Sequence, residues 1–340
     1  MEPVLEGHQT ESMRPVAPLR SEQTDPAAPV IKANSKSPSR IALDRLRKDK
    51  VAVVCFGIFM FFVLVAVFAP QLAALEGQNP FTTHQELVAR DLTPTVGMST
   101  EHWFGIEPRM GRDLFARWVY GARPSMEVAV LATTFTTALG VVMGLIAGFA
   151  GGIVDRVISW TVDFLMSLPI LLFAMATPLL FMNMLGIGED AGPEQIAKLR
   201  FWGLIFVLSL FGWAGLARLI RGEVLSLRER EFVAAARVLG VSTSKILFKE
   251  LLPNLVAPIV ISVSMALPGY ITAEAGLTFL GVGLIEPTPS WGVTISQATT
   301  YYKTIPNYLW LPVLGVTLLV IALSLLGDAV RDAFDPKTRR

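Results

Sequence analysis

The chain has little charge and almost no cysteine. Only 17% of its 340 residues are Asp, Glu, Lys or Arg, against about 25% in an ordinary soluble domain. The single cysteine, Cys55, excludes an internal disulfide and a cysteine-based metal site, and reads as a small apolar packing residue. The three histidines, His8, His84 and His102, lie far apart, stand in no metal-ligand spacing and read as surface residues. A net charge of +1 offers no basic field for nucleic acid. No Gly-x4-Gly-Lys-Ser/Thr phosphate loop occurs, so the chain is expected neither to bind nor to hydrolyse ATP. No nucleophile–base pair or metal set falls within its apolar runs, so no catalytic residue and no resident cofactor are expected.

What is abundant is apolar sequence. Hydrophobic residue types make up 52% of the chain. They cluster in six stretches free of Asp, Glu, Lys and Arg, or nearly so: Val51–Leu75, Val128–Val154, Phe164–Gly188, Phe201–Ala217, Leu251–Ala273 and Thr304–Gly327. A bilayer-spanning helix needs about 20 such residues, and barrel strands are shorter and alternate. The expectation is an all-α integral membrane protein with six transmembrane helices. The first run begins too deep for an ordinary cleavable signal peptide and reads as a signal anchor. Lys and Arg set the orientation. If the segment before the first run is cytoplasmic, the inner segments carry nine, one, seven and four of them, and the outer segments five, two and one. Both termini are therefore expected in the cytoplasm. A secondary transporter would be expected to show repeated halves or midplane ionisable groups, and no internal repeat is visible.

The organisation follows: a disordered cytoplasmic tail at 1–45, a first helix and long outer loop at 46–126, a membrane core at 127–330 containing a cytoplasmic loop at 222–254, and a short cytoplasmic tail at 331–340. Within the outer loop, Glu101–Tyr120 mixes aromatic and charged residues, which suits either a helix on the membrane surface or a folded loop. Gly140, Gly144, Gly148 and Gly152 recur every four residues and form a face on which another helix can approach closely. Pro169, Pro178, Pro258 and Pro268 interrupt the third and fifth runs. Two acids fall near run ends, Asp163 and Glu274; each reads either as a pathway or gate contact or as an ion pair or helix cap.

The cytoplasmic loop is the most informative segment. Glu231–Leu239 is an Ala-rich helix, Gly240 its stop, Ser242 the N-cap of a second helix over Thr243–Leu252, and Pro253 its break. Ala234, Ala235 and Ala236 make the first helix slim enough for a groove, with Arg228, Arg230, Arg237, Glu229 and Glu231 placed to fix its register; a solvated loop is the plain alternative. This segment resembles the EAA loop of ABC importer permeases, in which Glu-Ala-Ala is followed after three residues by Gly and later by Leu-Pro. Ala235 and Ala236 hold the alanines, Gly240 the glycine, and Leu252–Pro253 the end. The motif's Glu falls at Ala234, and Glu231, one turn earlier, is the candidate replacement.

The resemblance extends over about residues 45–340. His102–Gly105, Gly111–Asp113 and Tyr120–Arg123 are similar to the outer loop of the oligopeptide, dipeptide and nickel permease subfamily. The stretches 273–292 and 326–336 are similar to its second, C-type, permease. The resemblance implies the type I ABC importer permease fold in the bacterial plasma membrane and half of a pathway for peptides, or for nickel or another small solute. It also implies the partners: a homologous permease, two ATPase subunits or domains that bind ATP and Mg, a solute-binding protein outside, and surrounding membrane lipid. ATPase coupling then falls to Glu231, Ala234, Ala235, Ala236, Arg237, Gly240, Leu252 and Pro253.

Overall fold

The computed structural model describes residues 38–187 and 191–335. The expected disordered tail up to residue 37, the Gly188 end of the third run and the last five residues lie outside them. Among the described residues the regular secondary structure is helical, apart from two isolated bridges, Val88–Pro94 and Ile106–Asp113.

Helix begins at α1 (Pro38–Lys48), inside the stretch expected as a disordered tail. One residue on, the Asp49 carboxylate accepts from the amides of Val51 and Ala52 at 2.8 and 3.3 Å and starts α2 (Lys50–Val67). The first apolar run is two helices, because the chain breaks at Phe68 and resumes as α3 (Ala69–Glu76), with proline in its first turn. After the outer loop, Asp113 caps α4 (Leu114–Ala150), its carboxylate accepting from Ala116 N at 2.7 Å. At 37 residues α4 is about 55 Å long, well beyond the ~30 Å hydrocarbon layer. That length explains why its first turns carry Arg117 and Arg123.

The third run is not a straight span. It forms α5 (Gly152–Ser167) and α6 (Ile170–Met184), which meet at 94°. Pro169 disfavours helical backbone at the residue before it, and Leu168 is extended at ψ 136°. Then follow α7 (Pro193–Leu227), α8 (Glu231–Val238), a short α9 (Thr243–Lys245), a π-helical turn Ile246–Leu251, α10 (Leu252–Asn254), α11 (Val256–Phe279), α12 (Trp291–Ala298) and α13 (Pro306–Phe334). Five single helices, α2, α4, α7, α11 and α13, are long and apolar enough to cross a membrane, and the bent pair α5–α6 makes a sixth candidate.

Two seams organise the core. A Cβ on Gly140, Gly144 or Gly148 would lie 2.7–2.9 Å from the Cβ of Leu216, Ile220 or Val224. The glycine face of α4 is therefore what lets α7 approach backbone to backbone. Gly152 does not belong to that face: it opens α5 at φ +57°, with nothing within 4 Å of its Cβ position. The helix ends at Gly151 and turns before the four-residue period can bring it round. The second seam is aromatic. Phe62, Trp118 and Trp291 pack with centroids 5.6–6.2 Å apart, and each indole N–H is satisfied by a carbonyl, Trp118 to Leu311 at 3.1 Å and Trp291 to Trp118 at 3.0 Å. This joins α2, α4, α12 and α13.

Candidate coupling elbow and its connections

The loop at 222–254 folds as an elbow on the end of the α4–α7 seam. Val233 of α8 is fully buried among Val141, Leu145, Ile220, Val224 and Ile246. Arg237 sits 5.0 Å over the Phe149 ring, a cation–π contact with the last turn of α4. Arg228 donates to the Gly148 carbonyl at 3.0 Å and to Glu229 at 3.0 Å. The inward face of α8 is thus packed against the membrane helices.

The outward face is left open. Ala234, Ala235, Val238 and Leu239 point away from the core, and Val238 and Leu239 are 88% and 81% exposed. Arg230 and Glu231 stand exposed at the head of this face without an ion pair among the described residues. The helix ends by a Schellman arrangement: Gly240 N–H donates to Arg237 O and Val241 N–H to Ala236 O, each at 3.0 Å. Gly240 makes this possible by adopting φ +70°, in open space. Its requirement is conformational, not steric.

The second half differs from the expected single helix over Thr243–Leu252. Ser242 has cap-like backbone angles but no side-chain cap bond. The ladder then widens, with Leu252 N–H donating to Leu247 O, five residues back. Pro253 does not break the helix. It stands exposed in the first turn of α10, where a missing N–H is tolerated, while it has no hydrogen to offer the Lys249 carbonyl. Asn254 Nδ2 donates instead to Glu250 O at 2.6 Å.

Asp163 lies exposed on α5 and pairs with Arg218 of α7. Nearby, Arg221 holds Asp155 through two bonds, one of them 2.8 Å, and Ser159 adds a third at 3.2 Å. These pairs flank a cavity of about 210 Å³ between α4, α5 and α7. Glu274 is buried between α11 and α12, where it accepts from Thr278 at 3.1 Å and makes no ion pair among the described residues. It sits near the Ser290 cap of α12.

The outer loop resolves one open alternative and corrects one expectation. Glu101–Tyr120 is a folded loop running into α4 at Leu114. His102 is not a surface residue: it is buried, its Nδ1 lies 2.8 Å from the Asp113 carboxylate, and its ring meets that of half-buried His84. Glu76 accepts from Trp103 N–H beside them. Burial, joined by the nearby Asp113 carboxylate, pushes the Glu76 carboxyl up to about 7 against the opposing Trp103 bond.

A buried ion cluster, not foreseen from the sequence, fastens this loop to the segment before α12. Arg112 bonds Glu107 and holds Glu286 through two 3.0 Å bonds. Arg117 bridges the same two acids at 3.2 and 2.6 Å. Burial would raise the Glu286 carboxyl, but Arg117 and Arg112 outweigh it and hold it below the usual range. Arg112 and Glu286 fall in stretches that carry the subfamily resemblance, and Arg117 lies between two of them; the residue types were visible, but nothing local reveals that 112 meets 286.

Residues 140–340, which contain the whole elbow, match the model of the binding-protein-dependent transport system inner membrane component. Residues 37–94 match the N-terminal transmembrane domain of oligopeptide transport permease C. Among curated relatives, the dipeptide transport system permease protein of Alkalihalophilus pseudofirmus is 34% identical over 324 residues, covering 95% of this chain and 97% of its own. The oligopeptide transport system permease protein of Bacillus subtilis is 34% identical over 302 residues, 88% of this chain and 90% of its own. The glutathione transport system permease protein of Shigella dysenteriae is 33% identical over 314 residues, 92% and 95%.

Proposed function

The chain belongs to the inner-membrane components of binding-protein-dependent transport systems, and from that premise we propose that it forms half of an ATP-driven import pathway for peptides, powered through the elbow at α8. It is a multi-pass protein of the bacterial plasma membrane and a transport component, not an enzyme. Peptide substrates are supported by the names of its relatives, since dipeptides, oligopeptides and glutathione share peptide chemistry.

Six crossings account for the helices: α2, α4, the bent α5–α6 pair, α7, α11 and α13. Arg45 in α1 donates to the carbonyls of Ala333 and Asp335 at 3.1 and 3.3 Å, so the two ends of the helical body meet on one face. An odd number of crossings would separate them. The Lys and Arg distribution makes that face cytoplasmic. In the most apolar window of α11 only 11% is buried, against 50% for α7. That open side suits a homologous permease across a shared pathway. A solute-binding protein delivers substrate outside, and two ATPase subunits bind ATP and Mg below.

The observation that carries the coupling assignment is the exposed Ala234–Ala235–Val238–Leu239 face on a helix whose other side is buried. Exposed apolar residues at the tip of a cytoplasmic elbow call for a protein partner, and packing through Val233 and Arg237 passes its displacement to α4 and α7. Coupling rests on Glu231, Ala234, Ala235, Ala236, Arg237, Gly240, Leu252 and Pro253, and we add Val233 because it is buried against the membrane helices. Gly240→Val tests it. A β-branched residue at φ +70° costs roughly 1–2 kcal/mol and opens the Schellman turn. Peptide uptake by the assembled transporter should fall at least tenfold while its ATPase continues to turn over. Unchanged uptake would remove α8 from the coupling path.

A further inference from the structure

Helix α1 has two faces. Ala42 is buried and Leu46 half-buried toward the body, and Arg45 is fastened to the last carbonyls of α13. The helix therefore cannot roll. The opposite face carries Arg40, Leu43 and Arg47, spaced three and four residues apart, with Lys48 at its flank. All four are exposed, Leu43 to 47%. No carboxylate among the described residues pairs with Arg40, Arg47 or Lys48. Asp49 alone separates this helix from α2, the most apolar of the candidate spans at a mean hydropathy of 2.7. Where α2 enters a bilayer, this basic face adjoins the headgroup region.

We infer that α1 is a binding surface for anionic phospholipid headgroups, seated on the membrane alongside the first span. The chemistry fits on both counts. The two arginines, each one turn from Leu43 on either side, offer guanidinium forks to phosphate diesters, and Leu43 between them enters the acyl boundary, as in helices that lie in the interface. A lipid-free protein partner would be expected to offer carboxylates, and the test separates the two. The inference rests on α2 crossing the bilayer and is independent of the peptide and ATPase readings.

The experiment uses the full chain in lipid nanodiscs containing photoactivatable phosphatidylglycerol or phosphatidylcholine with matched acyl chains, followed by mapping of labelled peptides. Phosphatidylglycerol should label residues 38–50 at least fivefold more than phosphatidylcholine, and rising salt should erode the difference. Each basic residue near an anionic surface strengthens attraction roughly fivefold. Arg40→Gln with Arg47→Gln should therefore bring the two probes within twofold of each other, while Arg40→Lys with Arg47→Lys retains the preference. Lys48 and Lys50 are kept so that orientation is unchanged. Equal labelling by the two lipids in the unmodified chain, or an undiminished preference in the glutamine variant, would overturn the assignment. Labelling of this segment by neither lipid would overturn it together with the membrane placement of α2. Should the glutamine variant not assemble, the salt series and the lysine variant still decide between the outcomes.

Discussion

Gly144 shows how much one missing methyl group can hold. Its Cβ position lies 2.7 Å from Ile220 Cβ and 2.8 Å from the Ala217 carbonyl, with backbone on one side and a branched side chain on the other. Gly144→Ala should cost about 1–3 kcal/mol, read as a lowered unfolding midpoint in detergent. Gly215→Ala is the control: nothing lies within 4 Å of its Cβ position, and alanine in an open helix site gains up to about 1 kcal/mol. The four-residue period made the face of α4 legible in the sequence. It did not reveal that Gly152 falls past the helix end, because only the turn at Gly151 breaks the count. Histidine placement was not legible either, since His102 finds Asp113 only once the outer loop folds. The same corner carries a pH dependence. Glu76 holds its proton more tightly when folded, at about 7 against an ordinary 4.5. The folded state therefore binds the extra proton between those values, and this contribution to stability is present at low pH and lost as pH rises through 7. Glu76→Gln should flatten the pH dependence of the unfolding midpoint between 5 and 8 and raise it at 8.

At the scale of elements, the elbow was readable to its glycine and not beyond. Ala-rich helix, left-handed stop and partly exposed tip follow from residue types alone. The π-turn at Ile246–Leu251 does not, because Pro253 reads as a breaker and acts instead as a first-turn residue. The bend between α5 and α6 was signalled by Pro169, but its 94° size depends on how α6 lies against α7, where Phe173 meets Phe211 and Phe181 meets Phe206. Along its length α5 is fastened to α7 by two acid–arginine pairs of unequal strength. Asp155 is partly buried and held by three bonds, whereas Asp163 and Arg218 are each more than half exposed. Asp155→Asn should cost about 1–3 kcal/mol and Asp163→Asn less than about 1 kcal/mol, as thermal midpoints of the purified transporter will show. A larger loss at 163 would mean that the exposed pair, not the buried one, holds α5.

Across the whole molecule, the sequence pattern sufficed for membrane residence, because runs of about 20 apolar residues have few other homes. It did not reveal which surfaces are finished. The outer loop is fastened to the segment before α12 by Arg112, Arg117, Glu107 and Glu286. The side of α11 and the tip of α8 are left open, and these are the places where other subunits are proposed to sit. The decisive measurement is a cross-link from Ala235→Cys, made in a chain whose Cys55 is replaced by alanine, to the ATPase of the assembled transporter. The account predicts a short-range cross-link whose yield changes when ATP binds, and none from an outer-loop control at Ser99→Cys. An assembled, transporting complex in which position 235 reaches no ATPase with or without nucleotide would contradict it.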